Sequence, residues 1–311
     1  MPRRIAFALC TLLAAGCATP KMGMAFKDLE YPRPVSHVDV DGIEMAYTDV
    51  GQGPRALVLI HGLGSYSPVW TRNLDALAGA GRVIALDLPG YGKSQKANYR
   101  YSMEFFARAV DRLIERLGLT DVVLVGHSMG SQIAMTHALL FPGKAKALVL
   151  AAPAGFERFK PGEGRWLAEA VSKLAVKFTP PEAIYSNLAA NFQDMPKEAG
   201  FMAEDRIRVI GGADFDAYAY ANSRSVAAMI NGPVADRLPQ IAVPVLVVFG
   251  EGDRLIPNPI LHGGSTRQVA ESGVSRLPKG KLVMIPGAGH MLQFEKPEAF
   301  NQAVLEFLRG L

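Results

Sequence analysis

A serine between two glycines is the residue of this chain whose setting best suits covalent chemistry. Ser128 is the centre of Gly126-His127-Ser128-Met129-Gly130, which directly follows the apolar run Val122–Val125. A G-x-S-x-G sequence between a strand and a helix is typical of a nucleophile elbow, a strained turn that exposes the serine hydroxyl. An ordinary strand–turn–helix with an exposed serine has the same local pattern. Ser128 is therefore a candidate nucleophile whose partners must be sought elsewhere in the chain.

A serine hydroxyl needs a base to remove its proton and a third group to orient that base. Two later strands lead to such groups. The run Val245–Gly250 is followed by Asp253, and the run Lys281–Ile285 leads through a glycine-rich loop to His290. Open α/β sheets bind ligands at the carboxyl ends of their parallel strands, where both residues would lie. Asp253 and His290 are therefore candidates for these roles, with Glu251 as the alternative acid.

The transition state of acyl transfer also needs donors for a developing oxyanion. The loop His61-Gly62-Leu63-Gly64 follows the apolar run Ala56–Ile60. The backbone N–H groups of Leu63 and Met129 are the candidate donors, because the second follows the nucleophile directly. A phosphate site is disfavoured, since no Walker-type or dinucleotide-binding glycine pattern follows any of the expected strands.

These segments together resemble the α/β-hydrolase superfamily over about residues 35–309. The resemblance rests on five stretches: His61-Gly62, Asp87-Leu88-Pro89-Gly90-Tyr91-Gly92-Lys93-Ser94, the elbow, Gly250-Glu251-Gly252-Asp253, and Gly287-Ala288-Gly289-His290-Met291-Leu292-Gln293-Phe294-Glu295. It implies a mostly parallel, twisted α/β sheet flanked by helices. It also implies Ser128 as nucleophile, His290 as general base and Asp253 as the acid that orients it, with no cofactor.

The composition fits a globular enzyme and disfavours other classes. Hydrophobic residues make up 49% of the 311 and charged residues 20%, as in ordinary globular domains. The formal net charge is +4, and without Arg3 and Arg4 the 33 basic residues become 31, against 29 acidic ones, a near-balance that gives no basis for a nucleic-acid surface. His37, His137 and His262 have no ligand-like spacing, so we expect no metal site.

The amino terminus resembles a bacterial lipoprotein signal. A basic start at Arg3 and Arg4 precedes the apolar stretch 5–15, and Cys17 follows Ala14-Ala15-Gly16. We therefore expect residues 1–16 to be a signal peptide, Cys17 to be lipidated, and residues 17–34 to be a tether. The resemblance implies export and anchoring to the outer membrane, facing the periplasm. Ordinary secretion with an incidental Cys17 is the alternative.

The remaining sequence predicts a core of residues 35–154 and 239–311, interrupted by a helical cap at 155–238. We expect one helix over 67–78 and several short amphipathic helices in the cap. Most apolar cap residues would pack the cap's own small core. As a set, however, its phenylalanines and methionines are expected to line an apolar substrate site.

The sequence therefore predicts a serine hydrolase that cleaves a small apolar carboxylic ester through an acyl-enzyme. One alternative is a carbon–carbon bond hydrolase of the ring-cleavage type. Such members often carry Asn before the nucleophile and Trp after the catalytic histidine, where this chain has His127 and Met291. A second alternative is a non-catalytic binding lipoprotein. The pattern leaves the oligomeric state open.

Overall fold

A computed structural model describes residues 23–311 and contains one eight-stranded sheet. The strands are β1 Ser36–Val40, β2 Ile43–Val50, β3 Arg55–Ile60, β4 Arg82–Leu86, β5 Asp121–His127, β6 Ala145–Ala151, β7 Val245–Gly250 and β8 Gly280–Ile285. Their spatial order is β1-β2-β4-β3-β5-β6-β7-β8. The first three positions pair antiparallel and the rest pair parallel.

The central strands are short apolar runs that are buried along almost their whole length. Every residue of β7 is buried, as are five of the six residues of β3, in keeping with a parallel sheet covered on both faces. The register places the end of β5 beside β6, with His127 opposite Ala151. These features confirm the predicted fold class.

Eleven α-helices occur in the described residues, and they flank the sheet or form the cap. They are α1 Leu74–Ala78, α2 Met103–Arg116, α3 Met129–Leu140, α4 Pro161–Ala170, α5 Lys173–Phe178, α6 Pro181–Ala189, α7 Gly200–Arg208, α8 Phe215–Asn231, α9 Thr266–Val274, α10 Leu292–Glu295 and α11 Pro297–Arg309. Helix α2 packs on α3, and α1 packs on α11. No helix within residues 23–311 combines the length and apolar character that a membrane crossing requires.

The single helix expected over 67–78 is interrupted. Residues Ser67–Trp70 form a 3₁₀ helix, a turn follows, and α1 begins only at Leu74. The turn holds Asn73, whose buried side-chain amide donates to the Gln293 carbonyl at 2.9 Å and to Asn301 Oδ1 at 2.8 Å. Burying an amide requires such partners. Tertiary hydrogen bonds therefore override the continuous local pattern.

Helices α4 to α8 form the cap, inserted between β6 and β7. Helix α8 is the cap's long element, and α4 and α5 both pack on it. Buried residues of the cap include Ile184, Phe192, Phe215 and Tyr218. The chain returns to the core through a 3₁₀ helix at Ala235–Gln240.

Residues 23–34 form an N-terminal strap that connects the cap to the core. Met24 N–H donates to the Arg208 carbonyl at 2.8 Å, and the buried Phe26 ring packs 4.8 Å from that of Tyr218. Further along, the Tyr31 hydroxyl donates to Asp87 Oδ2 at 2.7 Å. This part of the segment expected to be a tether therefore packs against the folded body, because its apolar side chains find buried sites there. The remainder, including Cys17, lies outside the described residues.

Candidate active site

Ser128 stands on a strained turn between β5 and α3. Its φ of 52° lies in a region that non-glycine residues rarely adopt. A Cβ on Gly126 would lie 2.4 Å from the Gly130 carbonyl carbon, and one on Gly130 would lie 2.2 Å from the Ile60 carbonyl oxygen. Only glycine fits either position, because β5, α3 and the end of β3 meet there. The sequence signature thus reports a real packing constraint.

Hydrogen bonds to β5 and β6 hold the elbow in place. The Ser128 N–H donates to the Ala151 carbonyl at 2.9 Å, and the Ser131 hydroxyl donates to the Gly126 carbonyl at 2.7 Å. Strain in a turn persists only where the surroundings over-determine the backbone. Strands β5 and β6 supply that support here.

Asp253 and His290 form a buried pair at the carboxyl ends of β7 and β8. His290 Nδ1 lies 2.9 Å from Asp253 Oδ2, and both side chains are almost fully buried. Asp253 Oδ1 accepts the N–H groups of Leu255 and Ile256 at 2.8 and 3.2 Å. Burial alone would raise the pKa of Asp253, but the His290 ring and these hydrogen bonds outweigh it and lower the pKa. The carboxylate therefore stays ionised and fixes the ring through Nδ1.

Ser128 and His290 line the same cavity, beside Gly62 and Leu63. Within the described residues no hydrogen bond joins the Ser128 hydroxyl to the His290 ring. Catalytic hydrogen bonds are often long before substrate binds and shorten in the complex. Glu251 is not part of this arrangement, since its carboxylate pairs with Arg267 at 2.6 Å on the surface.

Two backbone N–H groups beside the serine have no acceptor among the described residues, namely those of Leu63 and Met129. Met129 is the first residue of α3, so its N–H has no partner within the helix. Leu63 lies in a turn and borders the cavity. Both groups are therefore available to bind an oxyanion.

Two other histidines support the site. His61 Nδ1 lies 2.8 Å from the Gly62 carbonyl, and its Nε2 accepts the Leu88 N–H at 3.1 Å. Burial lowers the pKa of His61. Both ring nitrogens of His61 thus have backbone partners, one in the glycine loop and one at Leu88, which leaves this histidine no role as the base.

His127 lies beneath His290, with ring centroids 5.0 Å apart. Its Nε2 is 3.0 Å from the His290 carbonyl oxygen, which can only accept, so this nitrogen carries the proton. Burial first, and then the neighbouring His290, lower the pKa of His127 to about 3. His127 is therefore a neutral donor that holds the His290 backbone.

A residue that sequence reasoning left without a role secures the histidine loop. The buried Glu295 carboxylate accepts N–H groups from Gly289 at 2.7 Å, Asp194 at 2.6 Å and Gln193 at 3.2 Å. The Met291 N–H also donates to the Asn191 carbonyl at 2.9 Å. Glu295 thus joins the loop before His290 to the cap segment 191–194. Glu295 is the last residue of the stretch Gly287–Glu295 that resembles the superfamily, and this position in the motif is the only sequence signal that pointed to it.

The cavity over Ser128 has a volume of about 600 Å³ and a mainly apolar wall. The cap contributes Leu167, Val226, Met229 and Ile230 to it. A smaller cavity of about 360 Å³ lies beside it and shares Leu63, Ser65, Asn191 and Met291. A site of this size and character suits a small apolar ligand.

The expectation for the cap's phenylalanines and methionines holds only in part. Met229 lines the main cavity. Phe178 is instead exposed to solvent, and Phe215 stacks on Tyr218 inside the cap. Periodicity alone does not tell which face of a short helix points inward.

The wall of the second cavity includes the Arg206 guanidinium, which has an N–H donor group without a partner in the described part of the chain. Arg206 donates from Nη2 to the Val176 carbonyl at 2.8 Å and lies over the rings of Phe215 and Tyr218. Its buried Nη1 has no partner within residues 23–311. Among these residues no group of three or more His, Cys, Asp or Glu side chains is placed to hold a metal ion.

Comparisons with known proteins agree with this architecture. The chain is 32% identical over 284 residues to a 2-hydroxy-6-oxononadienedioate/2-hydroxy-6-oxononatrienedioate hydrolase of Burkholderia vietnamiensis, covering 86% of this chain and 93% of that protein. It superposes on a probable hydrolytic enzyme of Pseudomonas aeruginosa with a TM-score of 0.81 and 29% identity, covering 92% and 98% of the two chains. A thermophilic esterase of Thermogutta terrifontis gives a TM-score of 0.73 and 25% identity, covering 89% and 98%.

A family model matches residues 57–303, which include the elbow, both loops of the Asp–His pair and the whole cap. That match spans most of the chain and every side chain assembled above. The chain belongs to the alpha/beta hydrolase family.

Proposed function

We propose that this hydrolase cleaves apolar carboxylic esters through an acyl-enzyme on Ser128. The observation that carries the proposal is the position of Ser128 in a mainly apolar cavity that it shares with His290, itself held by Asp253. The similarity to an esterase supports the same chemistry. Among the described residues, no other serine has a positive φ and shares a cavity with a buried Asp–His pair.

In the proposed reaction His290 Nε2 takes the Ser128 proton while Oγ bonds to the ester carbonyl carbon. The N–H groups of Leu63 and Met129 stabilise the resulting oxyanion. The C–O bond to the alcohol then breaks, and the alcohol leaves with the proton from His290. A water molecule hydrolyses the acyl-enzyme by the same steps, which returns Ser128 and releases the acid.

Nitrophenyl esters of increasing acyl length test this proposal. We expect turnover by the wild type and loss of at least about a thousandfold in kcat for Ser128→Ala. Ser186→Ala is the matched control, because Ser186 is exposed on the cap helix α6. Turnover that survives in Ser128→Ala would contradict the nucleophile.

Carbon–carbon bond hydrolysis is the second candidate. The Burkholderia vietnamiensis relative acts on dioates, which carry two carboxylates. The unpartnered Nη1 of Arg206 in the adjoining cavity could hold one carboxylate of such a substrate. Cleavage of a vinylogous diketone carboxylate, without ester turnover, would favour this function. In that case Arg206→Met should raise KM strongly.

We also propose export and lipid anchoring at Cys17, with the enzyme on the periplasmic side of the outer membrane. The support is the sequence of residues 1–17, which resembles a lipoprotein signal. Mass spectrometry of the protein from bacterial membranes should show a diacylglyceryl group on Cys17. A free thiol at that position would refute the anchor.

A further inference from the structure

Four large apolar side chains are exposed on three consecutive cap helices. Leu174 and Phe178 of α5 are 65% and 75% exposed, and Trp166 of α4 and Tyr185 of α6 are about 40% exposed. We call these four residues the outer cap face. Leu174 and Phe178 are four residues apart, so they project from the same side of α5. The three helices are joined by connections of two residues each, so the four side chains lie on neighbouring elements. Large apolar groups exposed on neighbouring elements are candidates for an interaction site.

The opposite faces of the same helices look into the protein. Ala170 of α4, Val176 of α5 and Ile184 of α6 all line the second cavity. On α5 the side chains of Lys173 and Lys177 both pair with Asp216 of α8, at 2.5 and 2.7 Å. These contacts fix the orientation of α5. The outer cap face therefore points away from the cavity, toward solvent.

The described chain begins against the loop between α7 and α8 of the cap. The strap begins at Gly23, and the Phe26 N–H donates to Asp214 Oδ1 at 3.3 Å. Asp214 lies two residues before Asp216, the residue that holds α5. The described chain therefore begins at the cap, and residues 1–22 precede this point in the sequence. They include the uncharged apolar stretch 5–15.

The charges around the face balance. Between 161 and 189 the basic residues are Arg165, Lys173 and Lys177, and the acidic residues are Glu163, Glu169 and Glu182. A surface without net charge has no electrostatic preference for nucleic acid or for a strongly acidic partner. The apolar side chains of the outer cap face are then the main determinant of its binding partner.

We propose that the outer cap face docks on the surface of a lipid bilayer, on the same cap against which the described chain begins. Leu174 and Phe178 enter the boundary between headgroups and acyl chains. The rings of Trp166 and Tyr185 lie at the headgroup level, where such side chains are favoured. The docking requires neither the ester chemistry nor lipid on Cys17.

Fluorescence of the full chain tests the docking directly. In a background with Cys10→Ser and Cys17→Ser, Phe178→Cys is labelled with an environment-sensitive dye and mixed with phosphatidylcholine vesicles. The dye should shift to the blue and be quenched by spin-labelled lipid, at low and at high salt. Leu311→Cys is the control, because α11 ends near Arg55 at the start of β3, opposite the active site.

Flotation with the same vesicles measures the contribution of the face. Replacing Leu174 and Phe178 together by Ser should weaken partitioning by at least about tenfold relative to Leu311→Ser, since two apolar side chains lose their burial. Turnover of a water-soluble ester should be unchanged, because neither residue lines a cavity.

Several results would overturn the proposal. A dye at position 178 that stays in water on vesicle-bound protein would do so, as would equal partitioning of the two variants. A blue-shifted dye without lipid would show that residues 1–22 cover the face. A dimer that the double variant disperses, without vesicle binding, would assign the face to a second copy of the chain.

Discussion

The Glu295 carboxylate accepts the backbone N–H of Gly289, the residue before His290, at 2.7 Å. The same carboxylate accepts two N–H groups of the cap segment at Gln193 and Asp194. The position of the candidate general base therefore depends on a buried acid that does not itself touch the cavity.

Glu295→Gln should lower kcat more than it changes KM. An amide presents an NH₂ group to one of the three N–H donors, so at least one hydrogen bond is lost. The cost to stability should be about 2 kcal/mol, and a shifted His290 should reduce kcat by at least about tenfold. Steady-state kinetics and urea unfolding measure both effects. Glu298→Gln, exposed on α11, is the control, and an unchanged kcat would refute the positioning role.

Gly126→Ala should prevent folding or cost more than about 4 kcal/mol. The added Cβ would lie 2.4 Å from backbone atoms of Gly130, which cannot move without displacing the elbow. Gly162→Ala offers a matched control in α4, where a Cβ meets nothing within 4 Å. That change should be neutral or stabilise by up to about 1 kcal/mol. Thermal unfolding of both variants tests the contrast, and similar melting temperatures would contradict it.

His127 should make stability depend on pH in the mildly acidic range. Its pKa is about 3 in the folded chain, against an ordinary value of 6.5. Between these values the unfolded chain binds a proton that the folded chain does not, so stability rises with pH and is complete above 6.5. From pH 7 to pH 5 the wild type should lose about 2 kcal/mol more than His127→Asn. Denaturant unfolding at both pH values measures the difference, and parallel losses would show that His127 titrates normally.

Leu167→Trp should shorten the preferred acyl chain. Leu167 projects from α4 into the main cavity, and an indole there would occupy space that a long acyl chain needs. We expect kcat/KM for long-chain esters to fall by about tenfold or more, with short-chain esters little affected. Leu174→Trp is the control on the exposed side of the cap. A uniform loss across all chain lengths would mean that the acyl group lies elsewhere.

The features that could be predicted from the sequence are determined by residues close to them in the chain. The buried strands are continuous apolar runs, and the elbow glycines are needed because a Cβ at 126 or 130 would collide with backbone. Asp253 and His290 could be located because both lie a few residues beyond strands that end at the same edge of the sheet.

What could not be predicted depends on distant partners. The break before α1 follows from hydrogen bonds between Asn73 and residues more than 200 positions later. The role of Glu295 requires knowing that the cap segment 191–194 passes over the histidine loop. Likewise, an apolar stripe in the cap does not show which of its residues are buried. In α5 only Val176 is buried, and Leu174 and Phe178 face solvent.

The N-terminal strap has a mechanical consequence. It is held by the cap through Met24 and Phe26 and by the core through the hydrogen bond from Tyr31 to Asp87, which also accepts the Ser67 N–H at 2.7 Å. Tension applied at the amino end would therefore act on the junction between the two parts rather than on a slack tail. Because the strap is bound to both parts, it would also limit how far the cap can tilt away from the sheet, and so how far the entrance to the cavity over Ser128 can widen.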